Sequence, residues 1–189
     1  MTNFKVKGKI VIGLTGGVSA GKSAAAAAFK KAGAFVVCAD VLAAKHLGRQ
    51  MPAVQKYFKT SDKKQIAARV FKNAAERKWL ENLLHPQVIR DAAALLKKSA
   101  AKIAVFDVPL LYEAGLGRGF DLTVCINAAY ETRQKRSKFA AADFKKRDAA
   151  QMPPPLKAQK ADVVIFNEGT KKNLEAKILK LYSALTAEN

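Results

Sequence analysis

The sequence has little of what marks a membrane protein or a disulfide-stabilised one. Its 189 residues include two cysteines, Cys38 and Cys125, each inside an apolar run. This setting favours buried free thiols over a disulfide or a metal site. There is no run of about 18 apolar residues, so no membrane span is predicted. The opening MTNFKVKGK has no apolar signal-peptide stretch, which favours a cytoplasmic location. The length favours one compact domain over residues 1–189.

Acidic residues are scarce as well. The chain has 34 Lys and Arg against 15 Asp and Glu, a net charge of +19, and such an excess attracts polyanions. A solvated basic surface and a field that attracts anionic substrates both stay open. Nucleic acid is the weaker choice of partner, because the sequence lacks the aromatic–basic interleaving of single-strand binders. The basic clusters are dispersed, at Lys30–Lys31, Lys63–Lys64, Lys97–Lys98, Lys145–Arg147 and Lys171–Lys172.

Five short β-branched apolar runs predict the strands of a parallel sheet. The runs are continuous instead of alternating, which is typical of strands that are buried on both faces. Helical patterns between them predict an α/β fold with crossover connections. The predicted strands are 9–16, 34–40, 103–111, 121–127 and 161–167.

The helical patterns predict a larger insertion and a smaller one. Residues 41–100 contain no convincing strand and predict a helical insertion between the second and third strands, with a helix break at His85-Pro86. Residues 129–151 predict a short helical lid of one or two helices. The proline run in 151–157 predicts an interruption before the last strand. The predicted helices are 21–32, 62–84, 87–98, 129–150 and 170–186.

A glycine-rich segment, GGVSAGKS, lies between the first predicted strand and the first predicted helix and fits G-x-x-x-x-G-K-[ST]. Glycines let backbone N–H groups surround phosphate oxygens, and the helix start offers further N–H groups. Lys22 would place its charge between the β- and γ-phosphates, and the Ser23 hydroxyl would bind Mg²⁺. The predicted ATP-binding residues of this segment are Gly16, Gly17, Val18, Ser19, Ala20, Gly21, Lys22, Ser23 and Ala24.

The remaining motifs narrow the class of nucleotide-binding protein. An N-K-x-D guanine motif is missing after the later strands, which disfavours a GTPase. The length and the helical insertion favour a small kinase. We therefore predict a five-stranded parallel-sheet P-loop NTPase core of the nucleoside-monophosphate-kinase type, with the helical insertion at 41–100.

The chain resembles the dephospho-CoA kinase family over nearly its whole length. The resemblance implies ATP-dependent phosphorylation of the ribose 3′-hydroxyl of dephospho-CoA, the last step of coenzyme A synthesis, with Mg²⁺ bound to the ATP. It also implies that the helical insertion at 41–100 binds the substrate. Ser19 stands where the family usually has glycine, and Ala24 where it usually has threonine. The motifs are IGLTGGVSAGKS, GAFVVCAD, VFKNAAERKWLENLLHP, VFDVPLLYEAGL, ETRQKR and QMPPPLKAQKADVVIFNEGT.

Two aspartates, Asp40 and Asp107, end the second and third strands, at the edge where such folds bind ligands. The resemblance implies that Asp40 is the catalytic carboxylate, which accepts or orients the proton of the attacking hydroxyl. Its alternative is an N-cap for a helix starting at Val41. Asp107 is suited to hold Mg²⁺ through water, and its alternative is a cap of the turn before Pro109.

The other candidate residues carry open alternatives too. The resemblance implies a substrate-side role for His85, against a structural one, while Glu113 could bind substrate or stabilise the loop 112–119. Arg136 is the predicted lid arginine that stabilises the transferred phosphoryl group. The resemblance implies a second lid arginine a few residues after Arg136, and the sequence has none at that place. Lys138 or Arg147 could take over its role, and we predict that Arg147 does so as a catalytic residue. Asn167 and Gly169 border the adenine, or form a plain turn.

Two rival functions remain open on the sequence alone. The first is another P-loop kinase that acts on a nucleotide or a small hydroxyl compound. The second is a basic nucleic-acid-binding NTPase, which rests on the net charge alone. Binding of an oligonucleotide with a steep salt dependence would favour this second function.

Overall fold

The computed structural model describes residues 2–187 and contains the predicted parallel sheet. The strand order is β2-β3-β1-β4-β5, so β1 is central and pairs in parallel with β3 and β4, while β4 pairs in parallel with β5. This order places the glycine-rich segment at the end of the central strand. The strands are β1 (Ile10–Gly16), β2 (Phe35–Cys38), β3 (Ile103–Asp107), β4 (Leu122–Asn127) and β5 (Val163–Phe166).

The helices fall into two compact units of the chain. The sheet unit runs up to Val37 and from Leu96 on, and the helical unit is Cys38–Leu95. The helical unit corresponds closely to the predicted insertion and has no strand beyond the last residue of β2. The described helices are α1 (Lys22–Lys31), α2 (Ala39–Arg49), α3 (Met51–Phe58), α4 (Lys63–Lys72), α5 (Ala74–Lys98), α6 (Tyr130–Arg136), α7 (Ala141–Ala149), α8 (Pro154–Lys160) and α9 (Lys171–Ala187).

The core of the sheet unit forms between the strands and two helices, α1 and α9. Burial of such aliphatic side chains stabilises the fold by about 1.5–3 kcal/mol each. The alanines of α1 combine high helix propensity with small volume, so this helix lies close to the sheet. The fully or nearly fully buried members include Ile12, Leu14, Ala25, Phe29, Val105, Val124, Ile126, Leu174 and Ile178.

The helical unit has its own smaller core. Val54, Phe58 and Ile66 are buried, and the indole of Trp79 packs against them. The Tyr57 ring stacks on the same indole with centroids 3.9 Å apart. The unit therefore has an apolar centre of its own, as a compact helical subdomain requires.

A polar contact joins the first and last helices of the helical unit. His46 in α2 is buried and its Nε2 lies 3.0 Å from Asp91 Oδ2 in α5. Burying a polar ring is costly unless it has a hydrogen-bond partner, and Asp91 supplies one. His46 is therefore a structural histidine, whereas His85 on α5 is exposed.

The predicted helix break at His85-Pro86 is wrong. The α5 helix is continuous from Ala74 to Lys98 with Pro86 inside it. The chain breaks instead at Asn73, whose Oδ1 accepts hydrogen bonds from the N–H groups of Ala75 (2.9 Å) and Glu76 (3.2 Å). Asn73 caps the new helix in this way. Pro86 has no backbone N–H, and the packing of α5 outweighs the one helical hydrogen bond that is lost.

Three predicted boundaries also need correction. The second strand ends at Cys38 and not at Asp40, which belongs to the first turn of α2. The third strand ends at Asp107, because Pro109 has no N–H to donate to a sheet. The predicted interruption in 151–157 is confined to residues 151–153 between α7 and α8, whereas Pro154 and Pro155 start α8, where the missing N–H groups cost nothing. The lid region resolves into two helices, α6 and α7.

No helix within residues 2–187 is long and apolar enough to cross a membrane. Both cysteines are free: Cys125 is buried and Cys38 is half-buried. Burial raises the pKa of the Cys125 thiol to about 11, although the nearby Lys157 charge lowers it in part. The thiol is thus protonated at neutral pH, which agrees with a packing role.

Candidate active site

The glycine-rich segment forms the turn between β1 and α1. Gly21 is the N-cap of α1 with φ of 102°, a left-handed conformation that glycine adopts without strain. Ser19 also has a positive φ, 58°, as one of two such non-glycine residues among those described. A glycine at this position would adopt the same backbone conformation with less strain than the serine does.

Lys22 and Asp107 form an ion pair next to this turn. Asp107 ends β3, and the parallel register sets Leu14 of β1 beside it. Both side chains are largely buried, with 13% of Lys22 and 6% of Asp107 exposed. A buried charge needs such a partner, and removal of one member is strongly destabilising. The pair keeps a cation and a carboxylate in position where phosphates would bind.

The donor set here fits a magnesium ion that is shared with phosphates. The Ser23 hydroxyl is exposed at the start of α1, and Asp107 adds a carboxylate. Within residues 2–187 no group of three or more His, Cys, Asp or Glu side chains could hold a metal by itself. Mg²⁺ in phosphate-transfer sites uses one or two protein oxygens together with phosphate oxygens and water. Ser23 and Asp107 match that requirement.

Arg133 is an important residue that the sequence analysis missed. Its side chain is 3% exposed, and its guanidinium forms a bidentate ion pair with Asp148 of α7. It also donates to the carbonyl of Val18 in the glycine-rich turn (3.3 Å) and to that of Ala128 (3.1 Å). Arg133 thus joins both lid helices to the phosphate-binding turn. Its spacing of one helical turn from Arg136 was the available signal.

Arg136 holds the loop that follows β5. Its guanidinium donates to the carbonyls of Asn167 (2.6 Å) and Gly169 (2.7 Å). The buried Asn167 amide in turn donates to the Ala20 carbonyl (2.8 Å). The two residues predicted to border the adenine are therefore next to the glycine-rich turn and the lid.

Glu168 ties the same loop to the start of α6. Its carboxylate accepts hydrogen bonds from Thr132 Oγ1 and from the N–H of Ala129, both at 2.6 Å. The Thr132 hydroxyl and then the Ala129 amide lower the pKa of this carboxyl. Because α6 has no N-cap side chain of its own, Glu168 supplies the negative charge that a helix start favours.

Arg147 and Lys138, the two candidates for the second lid cation, lie around one aromatic ring. The Arg147 guanidinium is 4.1 Å from the centre of the Phe139 ring, and the Lys138 ammonium is 5.6 Å from it. Both side chains are exposed. Stacking restrains the planar guanidinium more than the ammonium, because a planar group can lie flat on an aromatic face.

Glu113 has partners within the chain. Its Oε1 accepts a hydrogen bond from the Met152 N–H (2.8 Å) and lies 3.0 Å from Lys157 Nζ. These contacts support the loop-stabilising interpretation, while a role toward substrate remains a prediction.

The substrate-side candidates of the helical unit are both exposed. Asp40 is the second residue of α2, whose N-cap is Cys38 with no side-chain cap hydrogen bond. The N-cap interpretation of Asp40 is therefore wrong. His85 lies on α5 in the helical unit. The roles of Asp40 and His85 in catalysis and substrate binding remain predictions.

The sheet order and the glycine-rich turn with its lysine define a P-loop kinase fold. The match to a family model then names the group: the dephospho-CoA kinase model matches residues 10–173, and the chain belongs to this family.

Two curated relatives agree with that assignment, and a solved structure agrees with the fold. The chain is 35% identical to the dephospho-CoA kinase of Anaeromyxobacter dehalogenans, over 93% of this chain and 92% of that protein. It is 39% identical to the dephospho-CoA kinase of a Synechococcus species, over 84% and 88%. The crystal structure of TT1252 from Thermus thermophilus superposes with a TM-score of 0.84 at 29% identity and covers 95% of this chain and 97% of that one.

Proposed function

We propose that this protein transfers the γ-phosphoryl group of ATP to the ribose 3′-hydroxyl of dephospho-CoA and so produces coenzyme A. Its membership of the dephospho-CoA kinase family supports the acceptor. The observation that carries the proposal is the buried Lys22–Asp107 pair beside the glycine-rich turn. The family match favours dephospho-CoA over the acceptor of another P-loop kinase, because the Lys22–Asp107 pair suits either kinase. The nucleic-acid function rests on the net charge alone. We also propose a cytoplasmic location.

On this proposal, the glycine-rich turn handles the phosphates. Backbone N–H groups of Gly16 to Ala24 bind phosphate oxygens, and Lys22 exchanges its contact with Asp107 for the β- and γ-phosphates. Ser23 and Asp107 would hold Mg²⁺, which neutralises phosphate charge. Asp107 therefore holds the Lys22 side chain in position until the nucleotide binds.

The acceptor hydroxyl and the transferred group need further residues. We assign Asp40 to accept or orient the proton of the 3′-hydroxyl, a role that an exposed carboxylate can fill without first losing another contact. His85 is proposed to contact the substrate, whereas the contacts of Glu113 with Met152 and Lys157 favour its loop-stabilising alternative. Arg136 and Arg147 stabilise the charge on the transferred phosphoryl group.

The nucleotide base is assigned to the loop after β5. Asn167 and Gly169 are proposed to border the adenine, and the contacts of Arg136 to both carbonyls support a fixed loop. A fixed backbone can recognise a base without an ordering cost at binding.

The test is a coupled assay for ADP release with saturating ATP. Dephospho-CoA should support turnover, whereas shikimate and nucleoside monophosphates at the same concentration should not. Lys22→Ala serves as the inactive control for contaminating kinases. Turnover with another acceptor and none with dephospho-CoA would overturn the proposal.

A further inference from the structure

Lys157 is a buried cation that the proposed chemistry does not use. Its side chain is 0% exposed, and it is the one lysine among the described residues that is buried to this degree. Removing an ammonium group from water costs several kcal/mol unless its donors find partners. Lysine has three such donors. The residues that accept from them identify the segments that the ammonium group connects.

The three oxygen partners come from three different parts of the sheet unit. Lys157 Nζ donates to the carbonyl of Pro109 at 2.7 Å and to Gln151 Oε1 at 3.4 Å, and it lies 3.0 Å from Glu113 Oε1. Pro109 follows Asp107 by two residues, and Gln151 ends the predicted lid. All the ammonium donors therefore have a partner, as a buried charge requires.

Two of these partners extend the network further. The Pro109 carbonyl also accepts from Thr15 Oγ1 at 3.1 Å, and Thr15 lies in β1 directly before the glycine-rich turn. Glu113 also binds the N–H of Met152 at 2.8 Å. Lys157 thus links β1, the segment after β3 and the end of the lid through one charge.

The helix that carries Lys157 lies directly against the glycine-rich turn. A Cβ atom added to Gly17 would come within 2.9 Å of Pro154 Cγ, so the turn has no room to move toward α8. A displacement of α8 would consequently shift the backbone of the glycine-rich turn.

We infer that Lys157 is a positioning residue for phosphoryl transfer: it fixes the segment from Asp107 to Glu113 and the end of the lid against β1. This inference rests on the proposed function. Lys157 touches neither ATP nor acceptor in this account and acts through Asp107, the turn and the lid. A misplacement of such groups by about 1 Å lowers kcat strongly.

The first test is Lys157→Met, which keeps most of the unbranched side chain and removes its charge and donors. Lys160→Met, at an exposed lysine of the same helix, is the matched control. We expect kcat to fall at least about tenfold, with KM for ATP and for dephospho-CoA changed less than about threefold. Assays run well below the melting temperature of each variant, and circular dichroism confirms folding. Unchanged kcat in folded Lys157→Met would overturn the inference and leave a purely structural lysine.

The second test does not depend on turnover. Hydrogen exchange of the Met152 amide should become at least about tenfold faster in Lys157→Met and stay unchanged in Lys160→Met, because the partner of this amide loses its anchor. Unchanged exchange at Met152 would contradict the proposed link. The two proposals can fail separately. If the wild-type protein does not phosphorylate dephospho-CoA while the two variants show this exchange pattern, the proposed function is overturned and the link is not.

The third variant, Glu113→Gln, decides the matter if Lys157→Met fails to fold. It keeps an acceptor oxygen for Met152 but removes the counter-charge of Lys157. A positioning pair predicts a lower kcat with KM for dephospho-CoA nearly unchanged. A higher KM for dephospho-CoA with unchanged kcat would instead assign Glu113 to the substrate and contradict the pairing.

Discussion

The two units of the molecule present their candidate residues in opposite ways. In the sheet unit, Lys22, Arg133 and Arg136 are each held by partners of the chain itself. In the helical unit, Asp40 and His85 are exposed. The sheet unit therefore prearranges the groups assigned to ATP before any ligand binds, whereas the groups assigned to the acceptor stay hydrated.

This difference has a physical consequence for the proposed reaction. Prearranged charges pay no reorganisation cost when the phosphoryl group moves, which is the main source of electrostatic catalysis. A hydrated carboxylate such as Asp40 keeps its ordinary solvation and becomes effective when substrate displaces the water. The sheet unit should thus govern the affinity for ATP, and the helical unit should govern the use of the acceptor.

The largest effect is expected for Lys22→Ala. Loss of the charge at the phosphates should lower turnover by at least about 10³-fold, and Asp107 is left as a buried charge without this partner. We expect a lower melting temperature but a folded protein by circular dichroism, with ADP release at background level. Lys30→Ala, at an exposed lysine of the same helix, should change neither. Near-normal turnover of Lys22→Ala would refute the phosphate-binding role of the turn.

The next effect concerns Asp40→Asn in the helical unit. This change keeps the shape of the side chain and removes its basicity, so turnover should fall at least about a hundredfold. The melting temperature should fall only slightly, because Asp40 is exposed, caps no helix and contributes only a negative charge to the first turn of α2. ATP affinity, measured by calorimetry, should also stay the same or increase slightly. A rate close to that of the wild type would remove Asp40 from the mechanism.

A smaller effect is expected in the lid. Arg147→Ala should lower kcat by about tenfold, since roughly 1.4 kcal/mol of transition-state stabilisation is lost. Lys138→Ala, at the other cation beside Phe139, should have a much weaker effect, because an ammonium group cannot bind phosphate in bidentate fashion. Steady-state kinetics would measure kcat of both variants. A larger loss of kcat in Lys138→Ala than in Arg147→Ala would assign the role of the second lid cation to Lys138.

The smallest effect is expected for Glu168→Gln. The folded-state pKa of Glu168 is lowered by its hydrogen bonds, so its contribution to stability is present above the ordinary carboxyl pKa and is lost as pH falls through the lowered value. The residue is exposed, so the loss at pH 7 should stay below about 1 kcal/mol. Urea unfolding should show a difference from wild type at pH 7 that shrinks below about pH 4. A difference that grows on acidification would contradict this assignment.

The sequence predicted the sheet unit well and the polar contacts within it poorly. The order of strands and helices follows from local apolar runs, and Asp107 at the end of β3 follows from the same pattern. Arg133 and Lys157 lie in segments that look like solvated helices. Their burial depends on contacts with Asp148, Glu113 and Pro109. These partners are distant in the sequence, so no local pattern predicts the contacts.

The helical unit shows where local rules fail. Pro86 predicted a break, but packing along α5 outweighs one lost hydrogen bond, and the true break at Asn73 depends on a cap. The family resemblance pointed to His85, whose role stays a prediction, while no local pattern singled out His46, the buried histidine with a charged partner. Tertiary contacts decided both cases.

The central claim is that the sheet unit delivers the phosphoryl group to one hydroxyl of dephospho-CoA. The most direct test incubates the wild-type protein with ATP and dephospho-CoA and identifies the product by mass spectrometry and ³¹P NMR. The account predicts a product heavier by one phosphate, with a new monoester signal coupled to the 3′ position of the ribose and one ADP formed for each phosphate transferred. Transfer to a different position, or ADP formation without a phosphorylated product, would contradict it.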